Sequence, residues 1–193
     1  TGIDYYTHER YGVPSMFRRN ERVKEEGHAT GLFTREAKRF IEQNKDRPFF
    51  LYVPFNAPHS ASTFEKGTRQ VPEKYLAMYG GGFDNRTQYK ALVSHLDDSV
   101  AAILKQLDDL KLSDNTLVLF ASDNGGTGRS NNGPLRGGKA GMYEGGLRVP
   151  LIARWPGRIP KGRVIEDFAT SLEYFPTLLS VAGAKPPDGV KLD

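Results

Sequence analysis

No cysteine occurs among the 193 residues, which excludes disulfides, thiolate metal sites and a thiol nucleophile. No apolar run approaches the ~20 residues that cross a bilayer, so no membrane span is expected. The net charge is only +4, and no basic run exceeds a pair, as at Arg18-Arg19. Without a basic stripe interleaved with aromatics, nucleic acid is not an expected partner; the small excess agrees with an anionic substrate. Internal repeats and low-complexity segments are absent too. With 38% hydrophobic and 26% charged residues, the composition suits one globular domain with a sizeable core.

The chain opens Thr1-Gly2-Ile3-Asp4, neither a starting methionine nor a signal peptide, and reads as though entered midway. Residues 1 to 30 are expected to be loop with short strands, with His8 and His28 as surface or packing residues. A helix is expected from Thr34, capped by that residue, with Ala37, Phe40 and Ile41 on one face. Pro48 ends it, and Phe49-Phe50-Leu51-Tyr52-Val53 follows as a short buried strand. Residues 60 to 85 form a long loop, expected to be the edge of a substrate-facing lid. From Arg86 to Lys111, apolar residues recur at three- and four-residue steps, the clearest helix of the chain. His95, Asp97 and Asp98 lie on it; adjacent helical carboxylates diverge by about 100°, so all three read as structural. Further strands are expected at Leu117–Phe120, Val149–Trp155 and around Val164–Phe168. A last helix follows, capped by Ser171 and ended by Gly183.

Alternating helices and strands indicate an α/β layer architecture. In such sheets ligands bind beyond the carboxyl ends of the strands. The stretch from Leu117 to Arg154 puts chemistry there. Leu117-Val118-Leu119-Phe120, expected to be covered on both faces, runs into Asp123-Asn124-Gly125-Gly126. A carboxylate and an amide at that edge offer two hard oxygens to a cation such as Ca²⁺. The glycine-rich loop beyond carries Arg136, Lys139 and Arg148. Glycine lets backbone approach a ligand, and the cations suit a phosphate or sulfate group. Taken alone, Asp123-Asn124-Gly125-Gly126 reads as a plain turn; the whole stretch reads as a metal-and-oxyanion site. A second candidate is His59, after Pro54-Phe55-Asn56-Ala57-Pro58, at the carboxyl edge of the preceding expected strand.

Three segments of this chain carry a resemblance: Ala121-Ser122-Asp123-Asn124-Gly125-Gly126, Asn132-Gly133-Pro134-Leu135-Arg136-Gly137-Gly138-Lys139, and Tyr143-Glu144-Gly145-Gly146-Leu147-Arg148-Val149-Pro150. In this order and spacing they resemble the arylsulfatases of the alkaline-phosphatase-like superfamily. The resemblance covers nearly the whole chain. It implies an α/β fold with a mostly parallel sheet flanked by helices. That fold is incomplete here, because residues 1–193 match the central-to-late part of one catalytic domain. It implies sulfuric ester hydrolysis, with Asp123 and Asn124 as ligands of one divalent metal, Ca²⁺ ahead of Mg²⁺. Lys139 and His59 are implied as catalytic and sulfate-contacting residues. The Asn132–Arg136 segment is similar to that of sulfatases acting on sulfated sugars, which makes Asn132 and Arg136 substrate-binding candidates.

The family's nucleophile is a formylglycine made within a Cys/Ser-x-Pro-x-Arg signature. Val13-Pro14-Ser15-Met16-Phe17-Arg18 does not fit its spacing, so the nucleophile is expected outside these residues, together with an upstream aspartate pair and a Lys-x-His segment. Where many relatives have proline two residues after the histidine, this chain has Ala61. The implied substrate is a sulfated carbohydrate or an aryl sulfate ester. The implied location of the parent protein is outside the cytoplasm: periplasmic, extracellular or lysosomal. Two rivals remain open. One is a phosphatase or phosphodiesterase of the same superfamily; the other is a sulfatase-like binding protein without turnover.

Overall fold

The computed structural model describes residues 2–64, 70–127 and 130–190. The chain forms two units, residues 1–159 and 160–193. In the first, two antiparallel hairpins come before the helices. One pairs β1 (Glu9–Arg10) with β2 (Val13–Pro14), the other β3 (Phe17–Arg18) with β4 (Glu21–Arg22).

Helix α1 runs Ala29–Asn44, starting five residues before the expected Thr34. His28 caps it: Thr30 N–H donates to His28 Nδ1 at 3.3 Å. Thr34 lies inside the helix, its hydroxyl donating to the Thr30 carbonyl at 2.7 Å. A buried imidazole thus takes the role usually held by a short oxygen-bearing side chain, which sequence rules do not anticipate. The expected face is confirmed, with Ala37 and Ile41 buried.

Part of the expected 60–85 loop, residues 65–69, lies outside the described residues. The rest contains a short helix α2 (Glu73–Ala77), whose Tyr75 and Leu76 are buried. Helix α3 spans Asn85–Asp109, within a residue or two of its expected bounds; the Asp84 carboxylate accepts from Arg86 N–H and Thr87 N–H. Both α1 and α2 pack on α3. Tyr5, Ala29, Ala57 and Leu92 form one core cluster, and Tyr75, Leu76 and Ala91 a second.

After α3, strand β5 (Val118–Ala121) pairs antiparallel with β6 (Leu151–Arg154), in register from Val118 opposite Arg154 to Ala121 opposite Leu151. Between them lies the glycine-rich loop with the short helix α4 (Glu144–Leu147). β5 is not covered on both faces: Val118 and Leu119 are half-buried, Phe120 and Ala121 exposed. Phe49–Val53 is not a buried strand either. The segment has no ladder partner among the described residues, and Phe50 and Tyr52 are 72% and 75% exposed. It still has a strand's alternation. Phe49, Leu51 and Val53 turn inward, Phe49 meeting Phe40 of α1 edge-on at 5.9 Å.

The second unit holds α5 (Tyr174–Val181), preceded by a single 3₁₀ turn at Ser171–Glu173. Thr170, not Ser171, is the cap, in a reciprocal box with Glu173. Gly183, at φ +64°, closes the helix as expected. Val164–Phe168 is not a strand.

Candidate active site

Asp123 and Asn124 lie one residue past β5, beyond its carboxyl end. The Asp123 side chain is exposed, and Asn124 is half-buried with its Nδ2 donating to the Gly125 carbonyl at 3.0 Å. Ser122 Oγ donates to the Asn124 carbonyl at 2.9 Å, tightening the turn.

The glycines that follow bring backbone against backbone rather than against a ligand. A Cβ on Gly125 would lie 1.8 Å from the Gly145 carbonyl oxygen, and one on Gly145 would lie 2.4 Å from the Gly137 oxygen. Gly138 and Gly146 are equally crowded, by the carbonyls of Gly126 and Gly141. The close approach is fixed by Gly125 N–H to Gly146 O (3.0 Å), Lys139 N–H to Gly126 O (2.9 Å) and Gly145 N–H to Arg136 O (2.8 Å). Residues 125–146, of which 128 and 129 lie outside the description, are thus a backbone knot that only glycine permits.

Asn132 clasps this knot. Its Oδ1 accepts from Gly126 N–H at 2.9 Å, and its Nδ2 donates to the carbonyls of Gly126 (3.2 Å) and Gly137 (3.0 Å). The amide expected at a substrate is therefore engaged on both sides with backbone, a positioning role that the spacing of the motif does not reveal. The Arg136 guanidinium lies 3.8 Å over the Tyr143 ring, a cation–π contact that orients it. Lys139 is exposed and its ammonium has no ion-pair partner among the described residues. Arg148 pairs with Glu144 across α4 at 3.8 Å.

His59 stands on a separate loop. Its carbonyl accepts from the Tyr5 hydroxyl at 2.8 Å, and its N–H donates to Asn56 O at 2.8 Å. Buried Gly2 lies against it, where a Cβ would meet Ser60 O at 3.0 Å and His59 Nδ1 at 3.2 Å. His59 Nδ1 is 2.7 Å from the Ser60 carbonyl. A carbonyl only accepts, so Nδ1 carries the proton and Nε2 remains for a ligand. Among the described residues no hydrogen bond or ion pair ties this loop to the Asp123 turn.

Four buried rings behind the His59 loop form a stack that the sequence does not reveal, although His28 and His95 read there as packing or structural residues. Tyr5, His28, His95 and Tyr75 stand in sequence, with centroid separations of 4.5, 4.7 and 4.6 Å. His28 Nε2 donates to Gln70 O at 3.0 Å while Nδ1 accepts, which fixes a neutral tautomer. Burial lowers its pKa, and lowers that of His95 to about 4. Asp4 is buried beside them. Burial alone would raise its pKa, but hydrogen bonds from Thr7, Tyr6 and Gln70 outweigh that and lower it.

For a hard cation, Asp123 and Asn124 fit as two oxygen donors and no more. Among the described residues no three His, Cys, Asp or Glu side chains converge. Calcium takes about six to eight oxygens, so the remaining ligands would come from elsewhere.

The family model described as Sulfatase matches residues 2–184. The chain is 39% identical over 176 residues to the dog N-acetylgalactosamine-6-sulfatase, which covers 87% of this chain and 31% of the relative. It is 32% identical over 188 residues to the Escherichia coli (strain K12) protein called uncharacterized sulfatase YdeN, covering 95% of this chain and 32% of that one. The chain therefore spans about a third of the length of these relatives. Among solved structures, Ps i-CgsB in complex with k-i-k-neocarrahexaose superposes with a TM-score of 0.86 at 31% identity, over 100% of this chain and 46% of that one. The mixed helices and strands form an incomplete α/β domain of the alkaline-phosphatase-like kind. With the Asp123, Asn132–Lys139 and Tyr143–Pro150 segments folded into one knot and the match running from residue 2 to 184, the chain belongs to the sulfatase family.

Proposed function

We propose that the whole protein hydrolyses sulfate esters, and that these residues supply the late half of its active site. The observation that carries the reading is the knot itself: the hydrogen bond from Lys139 N–H to Gly126 O holds the Lys139 backbone against a glycine two residues past Asn124, and its ammonium has no ion-pair partner among the described residues. Asp123 and Asn124 would hold one Ca²⁺, which when bound supplies positive charge to the sulfate oxygens. Lys139 adds a second positive charge for a sulfate oxygen, pre-positioned by its own backbone. His59, with Nδ1 held by Ser60, presents Nε2 to the sulfate; once that nitrogen is protonated, it can give its proton to the leaving alkoxide. Arg136, braced on Tyr143, is placed to recognise the anionic substrate, while Asn132 keeps the loop in shape. The nucleophile, by family resemblance a formylglycine, lies outside these residues.

A sulfated carbohydrate is the substrate class we infer, since relatives are named for N-acetylgalactosamine 6-sulfate and one neighbouring structure holds a neocarrahexaose. Aryl sulfates are the second class by resemblance. By that resemblance the whole protein acts outside the cytoplasm; no helix among the described residues is long and apolar enough to cross a membrane.

The test is Lys139→Ala in the whole protein. Its side chain is exposed and makes no ion pair among the described residues, so folding should be unaffected, while turnover of a sulfate ester should fall about a hundredfold or more. Near-normal turnover would place Lys139 among ordinary solvated lysines and remove the oxyanion assignment.

A further inference from the structure

The tip of the first hairpin holds a residue that folding alone does not favour. Arg10 pairs with Val13, leaving Tyr11-Gly12 as a two-residue turn with φ of +49° and +79°, the arrangement of a type I′ turn. Glycine suits the second place, but the first is the usual home of Asn, Asp or Gly, because a bulky L-residue is disfavoured at positive φ. Burial does not explain the choice, since Tyr11 is 52% exposed. Unusual backbone of this kind persists where its surroundings fix it, and it concentrates at binding sites.

The surroundings here are the His59 loop. Tyr11 N–H donates to Ser62 O at 3.0 Å, and the Tyr11 ring meets Phe64 at 5.7 Å with a 54° tilt. Gly12 belongs to the same contact, since a Cβ there would lie 3.4 Å from Phe64 Cε2. Phe64 is itself 79% exposed. Ser62 and Phe64 follow His59 within five residues, and His59 is bonded to Ser60. Two open aromatic rings are thus fastened by main-chain hydrogen bonding to the loop that carries the candidate sulfate-binding histidine. Two tilted faces make a shallow angle, suited to the C–H face of a pyranose ring while its hydroxyls stay in water.

We propose that Tyr11 and Phe64 form a carbohydrate-stacking subsite that holds a sugar ring of the sulfated substrate beside His59. The assignment rests on the sulfate-ester reading above and adds to it which side chains would select a saccharide over a small ester. These rings touch the sugar and not the reacting atoms, so their effect falls on binding rather than on the chemical step.

The whole protein is compared with its Tyr11→Asn and Phe64→Ser variants. Asparagine is at home at positive φ, so Tyr11→Asn removes the ring while easing the turn, and its thermal midpoint should match or exceed that of the wild type. Three probes are used: a panel of sulfated galactan and chondroitin oligosaccharides, p-nitrophenyl sulfate, and inorganic sulfate as a competitive inhibitor. The proposal expects KM for the cleaved oligosaccharide to rise about tenfold in either variant, with kcat and the inhibition constant of inorganic sulfate unchanged. An unchanged oligosaccharide KM in a variant that melts like the wild type overturns it. So does a wild type that cleaves p-nitrophenyl sulfate but none of the oligosaccharides, an outcome that leaves sulfate-ester hydrolysis standing. A wild type that cleaves neither overturns the sulfatase reading as well.

Discussion

His95 shows how far a single residue's surroundings govern its chemistry. It lies on the buried side of α3, stacked on Tyr75 and tilted against His28, and its Nδ1 has no hydrogen-bond partner among the described residues. Burial first, then the neighbouring His28 and the positive charge of Lys74, lowers its pKa from 6.5 to about 4 against the weaker pull of Asp98. The folded state therefore holds His95 neutral where an unfolded chain would protonate it. Linkage gives the sign: stability from this residue is fully present above pH 6.5 and is lost as pH falls toward about 4. The thermal midpoint should decline across that window, and His95→Phe, which keeps a ring in the stack, should flatten the decline. An equally steep decline in the variant would assign the acid sensitivity to other groups. Asp4, also with a lowered pKa, loses its contribution only at lower pH, as its carboxylate is protonated. From sequence His95 read as a structural residue on a helix flank, and structural it is. Its burial was not visible because a heptad-like stripe of leucines does not say which polar position the neighbouring helix will cover.

At the scale of elements, α3 was readable because its signal is local. A three-to-four periodicity dictates a helix whatever packs on it, and the structure adds the Asp84 cap that the sequence reading did not single out. The glycine loop was readable only as a motif. Its residues announced a site, but the reason for so many glycines is tertiary: carbonyls of Gly145, Gly137 and Gly126 occupy the space that side chains would fill. Gly125→Ala should therefore disrupt the Asp123–Lys139 geometry rather than merely stiffen a turn. In the whole protein we expect lost turnover together with increased proteolysis within residues 126–146, while helical circular dichroism from α1 and α3 is retained. A fully active Gly125→Ala protein would mean that the knot is not closed as described. Phe49–Val53 marks the opposite case. The sequence signalled a strand, and the segment has a strand's alternation, yet its ladder partner is not among the described residues.

Over the whole molecule, apolar surface is exposed where a sheet would continue. Phe50, Tyr52, Ile152 and Leu151 are all open to solvent. A groove of about 880 Å³ lies between α1, residues 51–54 and the Arg18–Val23 hairpin. The chain spans about a third of its relatives, so neither observation describes a complete catalytic domain. We expect these 193 residues, prepared alone, to bind Ca²⁺ weakly in a calorimetric titration, because two hard oxygens fall well short of the about six or more that calcium takes. Tight stoichiometric binding would reveal ligands that the described residues do not supply. The same open edges should make the isolated chain prone to association.

The proposed role of Asp123, Asn124, Lys139 and His59 is to serve sulfate rather than phosphate. It is tested most directly by giving the whole protein two esters of one alcohol, p-nitrophenyl sulfate and p-nitrophenyl phosphate, and comparing kcat/KM. A clear preference for the sulfate is expected, with Asp123→Ala reducing turnover of that ester. A preference for the phosphate, or sulfate turnover that survives Asp123→Ala, would contradict it.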